Sequence, residues 1–217
     1  MGINKATILS VLLIFSFLVS NAQDFSFQMD IKSPKMPAGM SMKVAASSKK
    51  VAIQPLGGPM GSMRIIIDGD ANKQYVLMEN KGQKTAMMVD PFDSKSSSTK
   101  KPVVKSTKET KTIQGSKCTK VVVEGENGTS EMWVTKDAGI NYQQFYQIFN
   151  STKGTPGASN MIPDASEING FPMEIVSKDK EGQTTTISMS KISKTKVDPA
   201  LFSMSGYKQV DMTKKSR

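Results

Sequence analysis

Apolar and polar residues alternate one by one over much of this chain. Phe25, Phe27, Met29 and Ile31 interleave with Ser26, Gln28, Asp30 and Lys32. Met40, Met42 and Val44 interleave with Ser41 and Lys43, Val51 and Ile53 continue the rhythm, and Pro55 ends it. Successive strand side chains point to opposite faces, so a period of two predicts half-buried strands. Met63, Ile65 and Ile67 carry the next strand, with Arg64 on the other face, and Asp68-Gly69-Asp70 turns the chain. Tyr75 to Glu79 reads as a strand, and Asn80-Lys81-Gly82 returns it into Thr85 to Val89. No helix-length segment intervenes, which favours an antiparallel meander over a parallel sheet.

The rhythm breaks from Phe92 to Lys108, where serines mix with lysines; this stretch predicts a mobile, solvated loop. Strands resume at Lys111 to Gln114, Lys117 to Val123 and Thr129 to Thr135, with Glu124-Gly125-Glu126-Asn127-Gly128 as a turn. Tyr142, Phe145, Tyr146, Ile148 and Phe149 recur at helical spacing within Ile140 to Asn150. Ser151 to Asn169 reads as loop, and Pro172 to Ser177 and Thr184 to Ser193 as a hairpin. Asp198 is placed to cap a short turn at Pro199-Ala200-Leu201-Phe202, and the basic tail from Lys208 is expected to fray.

The N-terminus changes the picture of where this sheet works. Lys5 precedes an apolar run from Ile8 to Val19, and Ser20, Asn21 and Ala22 precede Gln23. A positive start, an apolar middle and small residues at the end predict a secretory signal peptide cut after Ala22. The run is too short for a spanning helix, which needs roughly 20 apolar residues. No cysteine follows the cut, so a lipid-modified N-terminus is not expected. The expected organisation is a signal peptide over 1–22, one β-rich domain over 23–212 with the Ser/Lys-rich loop at 92–108, and a basic tail over 213–217. The expected location is exported, periplasmic or extracellular, with no transmembrane span in the mature chain.

Composition narrows the function classes. The chain has 29 Lys plus Arg against 19 Asp plus Glu, and only Arg64 and Arg217 are arginines. A nucleic-acid binder usually interleaves arginines with aromatics on one face. Here the lysines are spread out, which suits solubility and blunted sheet edges. There are no histidines. That removes the commonest general base, the Ser–His and Cys–His nucleophile pairs and most zinc sites. Cys118 is the single cysteine and forms no intramolecular disulfide. No phosphate loop, nucleophile elbow or dinucleotide fingerprint is present. Asp68 and Asp70 flank Gly69 as turn residues rather than calcium ligands. Asn127 and Asn150 begin glycosylation acceptor patterns, which matter only in a eukaryotic secretory route. The expectation is a protein that is not an enzyme, with no catalytic residues, no cofactor, no metal and no nucleic-acid partner.

The methionines are the remaining chemistry: there are 16. Met40 with Met42, Met60 with Met63, and Met87-Met88 invite a Cu(I) reading through thioether sulfurs. Met87 and Met88 point to opposite faces of a strand, and no His or Cys accompanies them. Core filling, or the lining of an apolar cavity, suits unbranched thioethers better, because they repack around different shapes.

The second half of the chain carries a recognisable order. Lys111 to Cys118 leads into Val121-Val122-Val123; Glu131-Met132-Trp133-Val134-Thr135-Lys136 follows; then Gly170-Phe171-Pro172-Met173, Ser177-Lys178-Asp179, Asp198-Pro199-Ala200-Leu201-Phe202 and Gly206-Tyr207. This resembles a family of exported Gram-negative proteins known as a domain of unknown function, over Met40 to Met212. That family looks similar in outline to the LolA/LolB lipoprotein-carrier barrels. The resemblance implies a mainly β (α+β) fold: a strongly curved antiparallel sheet, or open half-barrel, with one or two short helices against its concave face. It implies room for an acyl chain and supplies no catalytic residues.

The leading expectation is therefore an exported, non-enzymatic envelope protein that binds a lipid, acyl chain or other apolar ligand. Its candidate lining is Met29, Met40, Met42, Met63, Phe145 and Phe149. The rivals are a structural or partner-binding envelope module with a filled core, its partner an envelope protein, and a Met-based Cu(I) protein.

Overall fold

A computed structural model describes residues 24–47, 49–58, 61–89, 101–143, 145–146, 162–163, 165 and 167–213. Twelve strands form one sheet: β1 Phe25–Ser33, β2 Met36–Ser47, β3 Lys50–Leu56, β4 Met63–Asp68, β5 Lys73–Asn80, β6 Gln83–Val89, β7 Val103–Ile113, β8 Ser116–Gly125, β9 Gly128–Thr135, β10 Phe171–Asp179, β11 Thr184–Ser193 and β12 Lys208–Asp211. The spatial order is β12-β6-β5-β4-β3-β2-β1-β11-β10-β9-β8-β7. Two meanders thus meet where β1 pairs with β11, and β12 and β7 are the free ends of an open, curved sheet. This is the mainly β half-barrel that the two-residue rhythm and the resemblance predict.

The alternating positions point where the pattern places them. Phe25, Phe27, Met29 and Ile31 are all buried, and the polar residues between them are not. Their partners across β2 are Ala46, Val44, Met42 and Met40. The resulting core joins the inward faces of β1 to β4 with those of β8 to β11. Each fully buried side chain of this size stabilises the fold by roughly 1.5–3 kcal/mol.

The segment between β9 and β10 lies against that face. Tyr142, Gln143, Phe145 and Tyr146 are helical, and Phe145 N–H donates to the Asn141 carbonyl at 3.2 Å. The rest of the predicted helix, from 147 to 150, lies outside the described residues. Phe145 meets Phe27 of β1 at 6.1 Å and Phe171 of β10 edge-on at 5.5 Å between ring centroids. Tyr142 is fully buried and donates to the Pro163 carbonyl at 2.6 Å. An aromatic plug therefore covers the middle of the sheet, where the two meanders meet.

Two expectations need correction. β7 begins at Val103, so the strand starts eight residues before the predicted Lys111, inside the expected 92–108 loop. Its lysines disguise it: β7 is an edge, where charge on both faces costs little. The tail from Lys208 does not begin by fraying. Lys208–Asp211 is β12, paired in parallel with β6, so the sheet has one parallel pair at its end. The short turn at Pro199–Phe202, by contrast, is present as a 3-10 turn, with Asp198 accepting from Ala200 N–H at 2.9 Å as its cap.

That C-terminal segment has its own packing role. β4 and β5 place Ile66 and Leu77 on the outer face, where they are buried with Ala86 beneath Met204 and Tyr207. Arg64 donates to the Ala200 and Ser203 carbonyls, and Lys84 sits over the Tyr207 ring at 5.8 Å. Residues 194–207 thus form a strap running outside the sheet from β11 to β12. The plug covers the inner face at the centre, and the strap covers the outer face near one end.

Candidate functional site

Strand pairing sets five methionines of the inner face in one transverse row. Met189 of β11 pairs with Met29 of β1, and Met29 with Met42 of β2. Met42 pairs with Pro55 of β3. Continuing the register from the Ile53–Ile65 pair brings Pro55 opposite Met63 of β4. Met63 pairs with Met78 of β5, Met78 with Thr85 of β6, and Thr85 with Lys208 of β12. Paired residues share a face, so all eight side chains project from the concave side.

Exposure rises along this row. Met189, Met29 and Met42 are 0%, 1% and 8% exposed; Met63 is half-buried; Met78 is 40% exposed. The gradient follows the plug, because Phe145 packs over Phe27 of β1 and Phe171 of β10 at the buried end of the row. Beside Met78, the inward residues Val76, Met87 and Val89 are also half-buried. So the concave face has a sealed centre and an apolar, partly uncovered flank on β4 to β6.

The candidate lining separates along the same line. Met29, Met42 and Phe145 belong to the sealed core, with Phe145 fully buried. Met40 and Met63 are half-buried and pack at its margin. Phe149 lies outside the described residues. Sequence reasoning missed Val76, Met78, Met87 and Thr85 as inward neighbours of Met63. The signal was available: Met78 and Met87 hold alternating positions of the predicted Tyr75–Glu79 and Thr85–Val89 hairpin.

Two polar side chains mark this flank. Gln74, opposite Ile67 and Val89, is 4% exposed, and its Oε1 has no hydrogen-bond partner among the described residues. Lys208, at the end of the methionine row, is exposed and makes no ion pair among the described residues. Among the described residues, Gln74 Oε1 lacks a donor and Lys208 lacks an anion.

Other candidate chemistry resolves into structure. Asp68 Oδ1 accepts from Ala71 N–H at 3.0 Å and Asp70 N–H at 3.1 Å, closing the turn; the Ala71 bond, then nearby Lys50, hold its carboxyl below the usual range. Burial pushes the Cys118 thiol up, against the opposing effects of a hydrogen bond at Ile113 and nearby Lys111, so it is protonated at neutral pH. Met87 pairs with inward Val76 and Met88 with outward Tyr75, so their sulfurs diverge. Met60 lies outside the described residues. No cluster of three His, Cys, Asp or Glu side chains suited to a metal occurs among the described residues. No helix there is long and apolar enough to cross a membrane.

Comparison with known proteins places the fold in context. No curated protein matches the chain. Among solved structures, it is similar to an uncharacterized conserved protein from Thermus thermophilus, with a TM-score of 0.53 and 9% identity over 93% of this chain and 99% of that one. It is also similar to PNGF-II, with a TM-score of 0.46 and 16% identity over 88% of this chain and 31% of that one. The chain thus spans about a third of the length of PNGF-II. A third likeness is to the LolA superfamily protein NE2245 from Nitrosomonas europaea, with a TM-score of 0.37 and 10% identity over 93% of this chain and 98% of that one. Of the three, the Thermus protein has the highest TM-score, and at its identity the likeness concerns fold alone. The family model described as "Domain of unknown function (DUF4412)" matches residues 25–207, and the chain belongs to that family.

Proposed function

We propose that this protein is an exported, non-enzymatic carrier or binder of an apolar chain, which it holds against the concave flank of β4 to β6. The observation that carries the reading is the exposure gradient along the methionine row, from 0% at Met189 to 40% at Met78. A sealed core supplies rigidity, and an adjoining apolar surface remains open. Thioethers are the side chains best suited to loose, shape-tolerant contact with hydrocarbon. Among the candidates, Met63 lies on this surface, Met40 of β2 sits at the margin of the core beside it, and Met29, Met42 and Phe145 form its support. The absence of any histidine from the chain favours binding over hydrolysis. The apolar run before Gln23 favours an extracytoplasmic location, periplasmic or outside the cell.

The test is uptake. Native mass spectrometry after mild extraction is expected to show the chain carrying an added apolar mass, and a fluorescent fatty acid to gain intensity on mixing. Bare polypeptide together with no fluorescence gain contradicts the reading.

A second reading is an envelope module that uses its surface for a protein partner and keeps its interior filled. The burial of Met29, Met42 and Phe145 at 8% exposure or less favours it. It predicts no uptake of either probe.

A further inference from the structure

The open flank has a direction. Starting at Met63, the row passes Met78, then the hydroxyl of Thr85, and ends at the ammonium of Lys208. Three strand spacings separate its ends, or about 14 Å. One end is thioether, the other a hydroxyl and a cation. The parallel pairing of β12 with β6 creates this order, because it sets Lys208 beside Thr85 and Val210 beside Met87. The neighbouring residues Tyr207 and Gln209 fall on the other face, where Tyr207 packs against the outer cluster.

The charge on this surface is one-sided. The inward positions of β4, β5, β6 and β12 include no Asp or Glu, and the acids of these strands, Asp68, Glu79 and Asp211, alternate to the outer face. Lys50 neutralises Asp68 there at 3.0 Å, and Lys84 lies 3.7 Å from Glu79. Lys208 has no such partner among the described residues. A single unpaired ammonium beside a hydroxyl, at the end of a narrow apolar row, matches one monovalent head on one hydrocarbon tail.

From this order we infer that the ligand is a single-chain anionic amphiphile, a long-chain fatty acid, whose carboxylate is held by Lys208 and Thr85 while its tail lies along Met78 and Met63. The inference rests on the concave-flank reading and adds the head group, its orientation and the residue that selects it. A neutral lipid of the same length lacks the ion pair, and a second copy of the chain presenting a net positive surface is disfavoured by charge.

The experiment compares palmitate with its methyl ester as competitors of a fluorescent apolar probe, on the full exported chain and on Lys208→Gln. Lys208 is exposed and its ion pair is screened by solvent, so palmitate is expected to bind about two- to fivefold more tightly than the ester. In Lys208→Gln that ratio falls to about one, with the ester unchanged, because the edit removes the cation and leaves the apolar row. Equal affinity of acid and ester in the unaltered chain overturns the head-group assignment and leaves the concave-flank reading standing. Binding of neither overturns both. A concentration-dependent dimer that Met78→Asp disperses, without uptake of either competitor, gives the surface to a second copy and also overturns the assignment.

Discussion

Gln74 is a buried polar residue with an unsatisfied atom among the described residues. Its Oε1 is buried on the inward face with no donor, a cost of about 1–3 kcal/mol. Gln74→Leu keeps the volume and removes that cost, so denaturant unfolding is expected to show a gain of about 1–2 kcal/mol. A loss of stability instead would mean that the amide is hydrogen-bonded in solution. Asp24 presents the opposite case. Its carboxylate accepts from the Ser47 hydroxyl at 2.6 Å and from Val197 N–H at 2.8 Å. Those two bonds, the hydroxyl first, hold its pKa below the ordinary 3.8. A depressed folded value stabilises the fold fully above the unfolded value, and that contribution disappears as pH falls through the folded value. Asp24→Asn is therefore expected to lower stability at pH 7 and to match the unaltered chain at the acid end of the curve. Denaturation midpoints measured across that range test the sign; a deficit that persists at the lowest pH contradicts it.

The elements divide into those the sequence displays and those it conceals. Strands with one wet face were legible from their period alone, as Phe25 to Ile31 shows. The strap was not, because its reason lies across the sheet. Val51-Ala52-Ile53 and Ile65-Ile66-Ile67 break the two-residue rhythm with apolar residues on both faces, and this breach is the trace of a cover on the outside. Ala52 and Ile66 are indeed 4% and 2% exposed. β12 was hidden for another reason: four residues with a lysine look like a tail, and only pairing with β6 makes them a strand. The candidate site was half legible. Alternation placed Met40 and Met63 on the inner face, but the plug decides which inward residues stay open, and its position follows from tertiary contact rather than spacing. If the strap seals a genuine second core, Leu77→Ala, at a fully buried position on the outer face, costs about 2–5 kcal/mol and exposes the strap to limited proteolysis. A cost below about 0.5 kcal/mol, with the strap still resistant, contradicts that role.

At the scale of the whole molecule, one bent sheet carries two covers set at different places. The plug closes the concave centre where β1 meets β11, and the strap closes the convex side of β3 to β6. Between them the inner flank of β4 to β6 is partly exposed, most at Met78, while its outer face is braced. That asymmetry lets a single layer of strands be rigid and still offer an apolar surface. Tight turns support the curvature: at Gly128, φ is 137° and an added Cβ would lie 2.1 Å from the Lys178 carbonyl oxygen. Gly128→Ala is accordingly expected to lower the unfolding midpoint sharply, and an unchanged midpoint would mean that the β9–β10 pairing relaxes there. The most direct test of the proposed binding surface is to label the methionine methyl groups and titrate the protein with a fatty acid while recording their NMR shifts. The account predicts movement at Met63, Met78 and Met87, with Met29 and Met189 still. Methyl signals that all stay in place, or move only at Met204 on the strap, contradict it.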